Sequence, residues 1–143
     1  MEDGLENFIP RGIRNNNPGN IKKNNVEWEG LAPEDEQIDN TFFVFSAAKY
    51  GVRALSKILI TYRSYGLNNI YSIINRYAPP SENDTEAYQS FLSKETGHGV
   101  LTNLENTIED YLPIVKGIIL MENGVQPYSE EEILEGMYLA WNQ

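Results

Sequence analysis

From Asp110 to Glu122 the chain offers almost no polar side. Ile114, Val115, Ile118, Ile119 and Met121 recur on nearly every face of a helical period, and a helix that is apolar all round has to be enclosed by the rest of its domain. Asp110 reads as its cap, with Pro113 tolerated in the first turn. A chain of 143 residues with 41% hydrophobic content can supply that enclosure within one domain.

The enclosing pieces read as amphipathic helices. Behind a Ser46 cap, Val52, Leu55, Leu59 and Tyr62 recur at three and four residues, Ile58 widens the stripe, and Gly66 closes the helix in the left-handed conformation. A second helix over residues 69–76 turns Ile70, Ile73, Ile74 and Tyr77 inward and stops at Pro79-Pro80. A capping box from Asn83 to Glu86 opens a helix with Tyr88, Phe91 and Leu92, and a box from Ser129 to Glu132 opens the last, with Ile133, Leu134, Met137 and Trp141. Residues 20–23 and 26–28, joined by Asn24-Asn25, suit a short hairpin, and the aromatic, β-branched residues 41–45 suit a strand. The expected fold class is therefore α+β, mostly helical, with five or six helices and a small antiparallel β ribbon. Residues 11–143 form the single domain, and residues 1–10, which show no period, form an N-terminal arm.

Composition removes several function classes. No apolar run approaches the roughly 18 residues of a bilayer span, and Met1-Glu2-Asp3-Gly4 lacks the basic start and apolar stretch of a secretion signal. Synthesis in a cytoplasm is the expectation. With no cysteine there is no disulfide, thiolate zinc site or cysteine nucleophile, and His98 alone cannot build a zinc site, so neither metal nor cofactor is expected. A net charge of -10 argues against nucleic acid as a partner. The charge is polarised along the chain. Arg11, Arg14, Lys22 and Lys23 fall between Glu6 and Glu27 with no acid among them, whereas Glu122, Glu130, Glu131, Glu132 and Glu135 follow the last basic residue, Lys116.

The basic end contains Arg11-Gly-Ile-Arg-Asn-Asn-Asn-Pro-Gly-Asn-Ile21. Short amide side chains bond their own backbone and favour turns, so this stretch is either a plain solvated loop or a set of aimed amides. Three further blocks follow: Trp28-Glu29-Gly30, Tyr77-Ala-Pro-Pro-Ser-Glu-Asn-Asp-Thr85 and Glu122-Asn-Gly-Val-Gln-Pro-Tyr128. Together, in this order, the four blocks resemble a family of tailed-phage virion proteins regarded as lysozyme-like, and the likeness runs from Arg11 to the end of the chain. The resemblance implies a lysozyme-like fold. It also implies peptidoglycan glycan strands as substrate, cleaved by a muramidase or lytic transglycosylase reaction at the cell wall during genome delivery, with other virion proteins as partners. Anionic wall polymers repel an acidic protein at long range, an objection that delivery by the virion removes.

Within that reading Glu122 is the candidate catalytic residue. Its position at the C-terminal end of a buried helix, in the negative half of the macrodipole and away from water, disfavours a charged side chain, as a general acid requires. The segment that starts at Glu122 is also similar to the Glu-Ser-Gly-x-Asn-Pro pattern of lytic transglycosylases, in which one glutamate serves as acid and then base. Glycoside cleavage often uses a second carboxyl group about 5 to 9 Å away, and Glu82 and Asp84 are the candidates. Asn16, Asn17, Asn20, Asn83 and Gln126 would bond N-acetyl and hydroxyl groups, and Tyr77, Tyr88 and Tyr128 would pack on sugar rings. Asn83 or Asp84 can equally serve as a helix cap, and each tyrosine suits a core position with its hydroxyl at the rim. The alternative is a non-catalytic lysozyme-like component of the virion that binds glycan or serves structure. It is favoured by the acidic balance and by Leu120-Met121, which stand where the family often carries basic residues.

Overall fold

The apolar segment forms α5, Ile108–Asn123, and it is enclosed as its composition demands. Ile114, Val115, Ile118 and Ile119 have no exposure. The computed structural model describes residues 9–142. Besides α5 its helices are α1 (Arg11–Arg14), α2 (Ala48–Ser64), α3 (Ile70–Tyr77), α4 (Thr85–Thr96) and α6 (Glu130–Trp141), with one 3-10 turn at Glu34–Glu36. α6 lies along α2 and α4 lies against α5. Both contacts are close because a side chain is missing. A Cβ at Gly136 would stand 2.6 Å from the Lys49 carbonyl oxygen and from Val52 Cβ, and one at Gly117 would stand 2.5 Å from Leu92 Cδ2.

Local signals set most helix ends. Asn69 and Ser72 form a reciprocal capping box on α3, as do Ser129 and Glu132 on α6. Gly66 follows α2 at φ +82, with its N–H donating to the Arg63 carbonyl. Three caps differ from expectation. Thr107, not Asp110, caps α5 by accepting from the Asp110 N–H at 3.2 Å, which carries Pro113 into the helix interior. The Asp110 carboxylate instead accepts from the Glu105 N–H at 2.6 Å. Asp84 rather than Asn83 caps α4, and Ser46 turns away from α2 to donate to the Gly30 carbonyl at 2.9 Å.

The α+β expectation is overturned: the described residues are helical, with six α-helices and neither strand nor sheet. Two isolated antiparallel bridges, Lys22 with Phe42 and Leu31 with Phe45, are all that stands where the ribbon was expected. Residues 41–45 alternate as a strand would, with Phe43 and Phe45 buried, but their few backbone bonds, such as Phe43 N–H to the Ile21 carbonyl at 3.1 Å, are scattered over several segments, and side-chain amides supply the rest. Asn17 Nδ2 donates to the Ile21 and Phe43 carbonyls at 3.0 and 2.9 Å. Gln37 donates to the Ala32 and Val44 carbonyls at 2.9 and 2.7 Å and accepts from the Val44 N–H at 2.9 Å. Periodicity locates an extended segment, but it does not say whether backbone or side chain will satisfy it. The hairpin at Asn24-Asn25 is replaced by a local turn in which the Val26 N–H donates to Asn24 Oδ1 at 2.9 Å. Of the expected N-terminal arm, residues 1–8 lie outside the described residues.

One carboxylate ties α1 to this irregular layer. Asp39 receives a two-pronged contact from Arg11 at 2.6 and 2.7 Å, Asn15 Nδ2 at 3.0 Å, and the Thr41 and Phe42 N–H groups at 2.8 Å each. The Arg11 guanidinium, aided by the backbone donors, holds the Asp39 carboxyl far below the usual carboxylate range. A depressed folded-state value means the contribution is fully present above the ordinary carboxyl pKa near 3.9 and fades as pH falls through the folded value. Asp39→Asn should lower Tm at pH 7 by about 3–6 °C. Thermal melts from pH 7 to pH 2 should show this gap closing below about pH 4, and a constant gap would contradict the ion-pair account.

Candidate functional site

Glu122 stands in the last turn of α5, which Gly124 closes at φ +73. Its two oxygens are held by donors from two distant parts of the chain. Asn20 Nδ2 donates to Oε1 at 2.9 Å, and the Tyr88 hydroxyl on α4 donates to Oε2 at 2.9 Å. The expected apolar surroundings of this helix end are therefore replaced by a polar clamp. Burial is the main cause that raises the Tyr88 phenol well above its ordinary value, and the neighbouring Glu122 charge adds to it, so Tyr88 stays a donor.

The segment that brings Asn20 to Glu122 is built from the asparagine run. Asn17 is fully buried and pins the turn from inside, accepting from the Ile21 N–H at 2.9 Å as well as donating to two carbonyls. Asn16 and Asn20 both take φ +52, a left-handed conformation that asparagine tolerates better than most residues. Asn123, next to Glu122, ties the turn to α5 by donating to the Pro18 carbonyl at 2.8 Å. Gly12 permits the approach: a Cβ there would stand 2.6 Å from Asn123 Oδ1 and 2.7 Å from Asn20 Oδ1. Tyr77 seals the other side, its buried hydroxyl donating to the Gly19 carbonyl.

These contacts form one wall of a cleft of about 430 Å³. Asn20, Tyr77 and Glu122 line it together with Phe42, Ile58 and Tyr62, while Lys22, Arg76, Glu82 and Asn83 stand around it. Glu82 accepts from Lys22 Nζ at 2.6 Å. Among the expected site residues, the structure thus brings Glu122, Asn20, Tyr77, Tyr88, Glu82 and Asn83 to one region.

Others lie elsewhere. Asp84 caps α4 and lines a separate depression beside Tyr71 and Gln89. Asn16 donates to the Phe45 carbonyl at 3.1 Å, and Asn17 is consumed inside the loop. Gln126 donates to the Lys116 carbonyl and lines a different hollow, and Tyr128 is half-buried against the core. No site role attached to Arg76, Tyr62 or Lys22 in the sequence, Tyr62 being read as part of the apolar stripe of α2. Lys22 was visible only as one of four clustered bases, and Arg76 only as the neighbour of Tyr77. Among the described residues no three His, Cys, Asp or Glu side chains stand close enough to hold a metal ion, and no helix is long and apolar enough to cross a membrane.

Comparison with known proteins supplies the lineage. The chain is 42% identical over 134 residues to Protein P5 of Pseudoalteromonas phage PM2, a match that covers 91% of this chain and 81% of that protein. The chain belongs to the family of this phage protein. No family model matches it.

The clamp makes a measurable claim about coupling. Tyr88→Phe removes one charged hydrogen bond and Asn20→Ala another, each worth about 1–2 kcal/mol in chemical denaturation. Because both bonds end on Glu122, the double variant should depart from additivity by about 0.5 kcal/mol or more. Strict additivity would mean that the two donors do not share the carboxylate.

Proposed function

We propose that this protein is a virion-associated component that acts on peptidoglycan glycan strands, with Glu122 as the acid-base residue of a muramidase or lytic transglycosylase reaction. The observation that carries the reading is a carboxylate on the wall of a sugar-sized cleft, flanked by an amide from Asn20 and the rings of Tyr77 and Tyr62. Pockets that hold small polar ligands combine such apolar walls with a few aimed polar groups. Membership of a phage protein family is compatible with a role in the particle.

In this reading one of the two donors yields its Glu122 oxygen to a proton, Glu122 gives that proton to the glycosidic oxygen as the bond to the anomeric carbon breaks, and its carboxylate then takes a proton from the water or sugar hydroxyl that attacks that carbon. The other carboxylate lining the cleft, Glu82, is tied to Lys22. The nucleophile is then the N-acetyl oxygen of the substrate itself, so that one protein carboxyl group is enough. Asn20 orients Glu122, while Tyr77 and Tyr62 offer ring faces.

A second reading rests on one specific observation. Both oxygens of Glu122 already have donors within 2.9 Å, as they would in a clamp that only joins α4, α5 and the asparagine turn. The protein is then a non-catalytic, glycan-binding or structural component of the particle.

Purified protein applied to purified sacculi separates the two. The catalytic reading expects release of soluble muropeptides that falls at least about 100-fold in Glu122→Gln, with unchanged circular dichroism and retained binding. Binding without release by the native protein selects the second reading, and undiminished release by the variant removes Glu122 from the chemistry. Detecting the protein by mass spectrometry in purified particles tests the virion assignment, and its absence from them would contradict it.

A further inference from the structure

We infer that Arg76 is a specificity residue that receives a carboxylate carried by the glycan, so that the cleft prefers acid-bearing amino sugars over neutral ones. The inference rests on the glycan reading of the same cleft. Its starting point is charge pairing. Of the 11 lysines and arginines, five, namely Arg11, Lys22, Lys49, Arg53 and Lys116, have a carboxylate within 4.0 Å, and of the two cations that line the cleft Lys22 is among them. Arg76 lines the cleft, is exposed, and has no carboxylate partner among the described residues.

Its guanidinium is nevertheless positioned. It lies 5.9 Å from the centroid of the Tyr62 ring, and Tyr62 lines the same cleft. An arginine resting near an aromatic face keeps its planar fork of donors free, which suits two-pronged capture of a carboxylate. The other cation at the cleft is different in kind, since Lys22 is neutralised by Glu82 at 2.6 Å. One unmatched fork, a ring beside it and the Glu122 wall together describe a pocket for a sugar with a negatively charged substituent. In bacterial wall glycan two sources share that chemistry: the lactyl ether of the muramic sugar and the peptide attached to it.

Titration calorimetry with three probes decides the matter: a neutral tetrasaccharide of N-acetylglucosamine, a peptide-free tetrasaccharide with free lactyl carboxylates, and the same strand with its peptides. The native protein should bind at least one acidic probe about tenfold more tightly than the neutral one, as a single charged hydrogen-bonded pair supplies. The probe that shows the gain identifies the source of the carboxylate. Arg76→Gln should bring all three within about twofold, and Arg76→Lys should keep part of the preference. Equal binding of neutral and acidic probes by the native protein, or an undiminished preference in Arg76→Gln, would overturn the inference while the glycan reading stands. Failure of the native protein to bind any of the three would remove both.

Discussion

Burying the asparagine turn depends on finding partners for its polar groups. Asn17 has no exposure, and its side chain makes three hydrogen bonds of 2.9 to 3.0 Å that stand in for a short stretch of sheet. An unsatisfied buried amide costs about 1–3 kcal/mol, so these bonds decide whether the turn can dock at all. Once it is docked, Phe43 and Phe45 enter the core, Asn20 reaches Glu122, and the Pro18 carbonyl meets Asn123 on α5. Fold and candidate site therefore share one set of contacts.

The consequence for the cleft is preorganisation. The Glu122 carboxylate has one fixed geometry, because Asn20 and Tyr88 hold one oxygen each. Tyr88 is buried on α4, Asn20 sits on the turn, and Glu122 ends α5, so the carboxylate also joins three parts of the chain. Such a group can serve catalysis or cohesion. The polar and aromatic lining around it, with Arg76 lacking a carboxylate partner among the described residues, favours a site over a simple clamp.

Helices were legible in the sequence because their signals are local. Apolar spacing announced α2, α3 and α5, and the Ser129 cap lies where the capping pattern occurs, whereas Asn69, expected inside its helix, caps it. Where two residues could do one job, spacing did not choose: Thr107 took the cap from Asp110, and Asp84 took it from Asn83. The β ribbon failed for a deeper reason. Alternating burial at residues 41–45 is real, but its backbone bonds are divided among Ile21, Lys23, Ala32 and Asn15 and the rest go to the Asn17, Asn16 and Gln37 side chains, whose reach across the chain no local pattern encodes. The site divides in the same way. Glu122 stood out by its helix-end position and by the resemblance of its segment to lytic transglycosylases, and Asn20 by resemblance alone, whereas only the fold shows that Asn17 faces inward while Arg76, on the outward side of α3, borders the cleft.

The central claim is that one carboxylate, one amide and their surrounding rings form a place where a sugar binds. Chemical-shift mapping of the ¹⁵N-labelled protein with chitooligosaccharide and peptide-free wall glycan tests it most directly. The account predicts that the largest changes fall on the Asn20 side-chain amide, on the backbone of Tyr77 and Glu122, and on Arg76, with residues around Gln126 unaffected. Changes centred on Gln126 and Lys116, or none anywhere with either glycan, would contradict it.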